Sequence, residues 1–90
     1  MVVAANSALI ANGGNTTIGF SVRPEQGQWQ DTQLDSGQNR EFPFGTPRFE
    51  FFIKSDGDKT VKKIFDCGSK YVIFFNSAES CWDLKLATEF

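Results

Sequence analysis

The sequence predicts a small all-β domain, an antiparallel β-sandwich or closed barrel of about seven short strands. Three observations predict it. Apolar and polar residues alternate with period two along much of the chain. Turn-forming residues separate those runs at spacings of about eight to twelve residues, and no segment shows a capped 3.6-residue pattern. A chain of 90 residues buries only about 60 to 65% of its unfolded surface, so its core has to be dense in large side chains. Ten Phe, two Trp and one Tyr supply that density.

Residues 1–15 are almost uncharged and end in Asn12-Gly13-Gly14-Asn15, which reads as a flexible N-terminal leader before a single domain over 16–88. Val2 to Ala5 hint weakly at a small-residue export site, although a positive flank and a long apolar stretch are missing. Ile18, Phe20 and Val22 then alternate with Gly19, Ser21 and Arg23 up to a break at Pro24-Glu25-Gln26-Gly27. Trp29–Leu34 is a more polar strand closed by Asp35-Ser36-Gly37. Arg40–Phe44 is short, and Pro43 and Pro47, which lack an N–H, place it at an edge. Phe49, Phe51 and Ile53 alternate with Glu50, Phe52 and Lys54, and Ser55-Asp56-Gly57-Asp58 reads as a hairpin turn. Thr60–Phe65 returns, Asp66-Cys67-Gly68 turns, and Tyr71–Phe75, apolar on both faces, belongs in the middle of a sheet. Trp82–Leu86 completes the set.

An offset of 31 residues lays Ile18, Phe20, Val22 and Arg23 on Phe49, Phe51, Ile53 and Lys54, and Leu34-Asp35-Ser36-Gly37 on Phe65-Asp66-Cys67-Gly68. The same shift lays Phe42 and Phe44 on Ile73 and Phe75. This predicts an internal repeat of two three-stranded units packed face to face.

Composition removes many activities. The chain has no His and two Cys, so it cannot build a Ser-His-Asp or Cys-His pair, an HExxH site or a four-ligand Cys/His zinc site. The expectation is no enzyme, no catalytic residue, no metal and no cofactor. Asp56-x-Asp58 lacks the further oxygen donors of a cation loop. Carboxylates such as Asp31 with Asp35, or Glu25 with Glu41, serve glycoside chemistry only if the fold brings a pair together. Cys67 and Cys81 would lie at opposite ends of one strand, roughly 25 Å apart, and so are expected to be unpaired. Asn15-Thr16-Thr17 fits a glycosylation acceptor, a short pattern that recurs by chance. A net charge of -2 gives no general attraction for nucleic acid, and no apolar run is long enough for a membrane helix.

Four aromatic residues fit the core least well and are the candidate ligand-binding residues: Trp29, Phe52, Phe74 and Trp82. Phe52 and Phe74 fall opposite the main apolar sets of their strands, on a face that is either open to a partner or covered as a second small core. Lys54, Lys62, Lys63 and Lys70 would make a local basic area, or else protect sheet edges. The leading expectation is therefore a non-catalytic module that binds a protein or glycan partner. A carbohydrate-binding module using exposed aromatic rings is the first alternative, and a small barrel binding single-stranded nucleic acid is the second.

Overall fold

Ile18, Phe20 and Val22 on one strand and Phe49, Phe51 and Ile53 on another are all 5% exposed or less, so both alternating runs turn their apolar side into one interior layer. The computed structural model describes residues 3–55 and 58–89. Within them lie β1 (Ser7–Asn12), β2 (Ile18–Pro24), β3 (Gln30–Leu34), β4 (Asn39–Pro43), β5 (Arg48–Lys54), β6 (Thr60–Asp66), β7 (Lys70–Asn76) and β8 (Cys81–Leu86), followed by a 3-10 turn at Ala87–Glu89. They form two four-stranded sheets, ordered β4–β1–β7–β8 and β3–β2–β5–β6, which pack as a sandwich rather than a closed barrel. Neighbouring strands run antiparallel except β1 and β7, which are parallel.

Each of the seven expected strands is present within one or two residues, as β2 to β8. The proline-flanked β4 is an edge strand and the doubly apolar β7 is internal. The hairpin joining β5 to β6 is closed by Ser55 N–H donating to Lys59 O at 2.7 Å. Two residues of its turn, Asp56 and Gly57, lie outside the described residues.

The N-terminal segment is where the sequence reading needs correction. Ser7–Asn12 is not part of a flexible leader but an eighth strand, seated between β4 and β7, with Ser7, Ala8, Leu9, Ile10 and Asn12 buried. A strand covered on both sides has no polar face, so Ala8-Leu9-Ile10-Ala11 shows a short continuous apolar run and no alternation. The domain therefore begins well before residue 16. Asn12 fastens the end of this strand: its Nδ2 donates to Thr16 O and Leu34 O, and its Oδ1 accepts from Gly14 N.

The arrangement of the two three-stranded segments also differs from expectation. They do not face each other as separate layers. The hairpins β2–β3 and β5–β6 lie side by side in one sheet through the β2–β5 pairing, while β4 and β7 cross to the other sheet on either side of β1. The turns that precede those crossings hold β1 at its two ends. Gly37 (φ 78°) donates its N–H to Asn12 O, and Gly68 (φ 91°) donates to Ser7 O. Both glycines occupy the left-handed region that residues with a Cβ rarely adopt.

The interior is largely aromatic. Phe20, Phe42, Phe44, Phe49, Phe51, Phe65 and Tyr71 form one connected network of rings with centroids 4.8 to 6.5 Å apart, the shortest being the parallel stack of Phe44 on Phe49. Tyr71 places its ring in this network and donates its hydroxyl to Asp66 O at 2.6 Å, which resolves the polar tip of a buried side chain. Ile10, Val22, Leu34, Ile53, Ile73 and Leu84 fill the remainder.

Candidate functional site

The register of β3–β2–β5–β6 determines which side chains share its outer face. Ser21 pairs with Asp31 and with Phe52, and Phe52 pairs with Lys62, so Asp31, Ser21, Phe52 and Lys62 form one row across the sheet. The adjacent row contains Arg23, Glu50 and Ile64. Trp29, just before β3, leans over these rows, with its ring edge-on to Phe52 at 6.2 Å. Arg23 stacks its guanidinium on Trp29 at 4.7 Å, while Lys62 Nζ lies 5.9 Å from the same ring. Arg23 in turn makes a bidentate pair with Glu50, at 3.1 and 3.0 Å.

Two depressions open onto this face. One, of about 530 Å³, is lined by Gly19, Ser21, Asp31, Gln33, Phe52 and Lys54 among others, and the second, of about 350 Å³, by Ser21, Trp29, Asp31, Phe52 and Lys62. Ser21, Asp31 and Phe52 line both, so together they make one trough with Phe52 in its middle. Phe52 is half-buried and Trp29 is 39% exposed. The Phe52 face is therefore neither bare nor sealed: one indole rests beside the ring, and the depression lined by Gly19 and Gln33 also reaches it.

The four candidate aromatic residues do not form one site. Phe74 is on β7 in the opposite sheet, half-buried with Lys85 Nζ 4.6 Å from its ring. Trp82 is on β8 and packs partly against the core. Its ring lies over Gly14, where an added Cβ would come within 2.7 Å of the indole, so that glycine is a seat for Trp82 as well as a loop residue. Phe75, which belongs by alternation to the interior set of β7, is instead 51% exposed and meets Trp82 edge-on at 5.3 Å. It is the next-to-last residue of the strand.

The expected basic area is divided. Lys62 lies on the Trp29 face, and Lys54 pairs with Asp58 at 3.4 Å. Lys63 crosses the gap between the sheets to Asp83 of β8 at 3.0 Å, and Lys70 belongs to the other sheet. Lys63 sits between the inward residues Val61 and Phe65 on an edge strand, the placement of a charge that discourages sheet-to-sheet pairing. The carboxylates are likewise held apart: Asp31 accepts from Ser21, Asp35 from Thr17, and Glu25 from Arg48. Glu41 is on β4 in the other sheet. Among the described residues no group of three His, Cys, Asp or Glu side chains could hold a metal ion, and no helix is long and apolar enough to cross a membrane.

Cys67 and Cys81 are free thiols at the two ends of β7, where β7 and β8 form a simple hairpin. Partial burial, reinforced by the neighbouring Asp66 carboxylate, pushes the Cys67 thiol up from its ordinary pKa and lowers its thiolate content near neutral pH. That is the opposite of what an activated nucleophile requires. No family model, curated protein or solved structure matches the chain.

Proposed function

We propose that the chain is a non-catalytic binding module whose docking surface is the outer face of β3–β2–β5–β6. The observation that carries the reading is the trough around Phe52, flanked by the partly exposed Trp29 and edged by Asp31, Gln33 and Lys54. Binding sites combine apolar, often aromatic surface with a few fixed polar groups, and this face combines both. Glu50 holds Arg23, whose guanidinium stacks on the indole, so the platform is held in place before a ligand arrives. The absence of histidine from the sequence and the upward shift of the Cys67 thiol by partial burial support a binding role over a catalytic one.

The reading is tested with a library of small neutral fragments followed by saturation-transfer NMR. Fragment binding should disappear in Phe52→Ser and persist in Phe74→Ser. Persistence in the first variant and loss in the second would move the docking surface to the other sheet.

A further inference from the structure

We infer that the trough is a subsite for one uncharged pyranose unit of a glycan, seated against Phe52 with Asp31 and Gln33 as its hydrogen-bonding partners. The inference rests on the reading of this face as the docking surface and adds the class of ligand.

The geometry begins with Gly19. In a sheet, same-face positions on one strand recur roughly every 7 Å and neighbouring strands lie about 4.8 Å apart. Gly19 leaves one of these positions without a side chain. Its nearest neighbours to a hypothetical Cβ are Gln33 Cγ and Thr32 O, both 3.8 Å away, so the backbone does not demand glycine there. The gap instead forms the floor of a depression walled by Phe52 and rimmed by Asp31, Gln33 and Lys54. A pyranose presents a flat patch of C–H groups and a perimeter of hydroxyls. The first suits an aromatic face, whose negative quadrupole attracts polarised C–H groups, and the second suits carboxylate and amide groups at the rim.

The polar groups are prepared for that use. Ser21 donates its hydroxyl to Asp31 Oδ1 at 2.6 Å, which fixes the carboxylate. Among the described residues no hydrogen bond engages Asp31 Oδ2 or the Gln33 amide of an exposed side chain. Both are available to accept or donate to vicinal hydroxyls.

Charge distribution distinguishes this occupant from others. Arg23, Lys54 and Lys62 are matched by Asp31, Glu50 and Asp58, two of the three cations in direct ion pairs, so the face has no net field to select an anionic backbone. An oligonucleotide would also have to place phosphate against Asp31. A quaternary ammonium group needs a free aromatic cage, but the Trp29 ring already holds Arg23 and Lys62. A neutral polyol meets neither obstacle.

The test is calorimetric and NMR titration of the intact 15N-labelled chain with neutral cello-, malto-, manno-, galacto- and chito-oligosaccharides, alongside oligothymidylate and a trimethyl-lysine peptide. The inference expects at least one neutral series to bind with little dependence on salt, shifting the amides of Gly19, Ser21, Asp31, Gln33 and Phe52. Phe52→Ala and Gly19→Val should each weaken binding about tenfold or more, since one removes the platform and the other fills the floor. Trp82→Phe should leave binding unchanged. A Gly19→Val chain that keeps its thermal midpoint separates loss of the subsite from loss of the fold. Silence from every saccharide, binding that survives Phe52→Ala, or preference for the oligonucleotide or peptide overturns the inference. If neutral fragments still gather on this face while every saccharide is silent, the sugar alone is wrong; if fragments gather elsewhere, the docking surface is wrong as well.

Discussion

Phe49→Ala would remove the ring at the centre of the aromatic interior. Phe49 is 0% exposed and contacts three rings: Phe44 at 4.8 Å, Tyr71 at 5.5 Å and Phe65 at 5.7 Å. Truncation of a fully buried Phe loses transfer free energy and leaves a cavity, at about 3 to 5 kcal/mol. Three interlocked neighbours restrict how far the site can collapse, so the upper part of that range is expected. A domain of this size has a total stability of roughly 5 to 13 kcal/mol, so one substitution removes a large share of it. With a urea m-value of about 1.5 kcal/mol/M, the unfolding midpoint should fall by roughly 3 M at unchanged m. Equilibrium urea denaturation followed by far-UV circular dichroism measures both quantities. The matched control is Phe75→Ala, at a side chain 51% exposed, where the expected loss is under about 1 kcal/mol. A loss at Phe49 under about 1.5 kcal/mol, or equal effects at the two positions, would refute the assignment of the interior network.

Other outcomes follow from single contacts. Thr32 is buried in β3 and its hydroxyl finds no hydrogen-bond partner among the described residues, so Thr32→Val should stabilise by about 1 kcal/mol in the same assay; a comparable loss would show that the hydroxyl is satisfied in solution. Gly14→Val places side-chain atoms in the space of the Trp82 indole and should destabilise by about 1 to 3 kcal/mol, while Gly19→Ala, with 3.8 Å of clearance, should change stability by under about 0.5 kcal/mol. Asp83→Ala should destabilise more than Lys63→Ala. The Asp83 carboxylate is 13% exposed and also accepts from Leu84 N, whereas the Lys63 end is 51% exposed and should contribute under about 1 kcal/mol. Because its pKa is raised, Cys67 should react with a thiol reagent more slowly than a free cysteine at neutral pH, gaining rate as pH rises through its pKa; a rate above that of free cysteine would contradict its partly buried setting.

Much of the sandwich was legible because its strands have one buried and one open side. Ile18-Phe20-Val22 and Phe49-Phe51-Ile53 display that asymmetry directly, and the prolines around β4 mark an edge for the lack of an N–H. β1 was illegible for the converse reason: a short internal strand of Ser, Ala, Leu and Ile has no polar alternation, and the glycines after it resemble the end of a linker. Layer assignment also escaped the sequence. Alternation locates a buried side without naming the sheet, so the two hairpins were expected in opposite layers and share one.

The candidate site was legible in part. Phe52 stands out as an aromatic residue on the polar side of its strand, and Trp29 follows a turn, but their contact depends on a loop geometry that spacing does not encode. Gly19 was visible only as a small residue between Ile18 and Phe20. That it opens the trough floor depends on Gln33 and Lys54, which come from neighbouring strands. Phe74 and Trp82 answered the same sequence criteria and serve elsewhere, one beneath Lys85 and the other over Gly14. The lysines illustrate the same limit, since residues adjacent in sequence, Lys62 and Lys63, leave a strand on opposite sides.

The most direct measurement of the central claim is an amide chemical-shift map of the wild-type chain with neutral fragments at saturating concentration. Shifts should concentrate at Gly19, Ser21, Trp29, Asp31 and Phe52, on one face of one sheet. Shifts concentrated along the gap between β6 and β8, where Phe65, Asp83 and Leu86 line a depression of about 690 Å³, would contradict it.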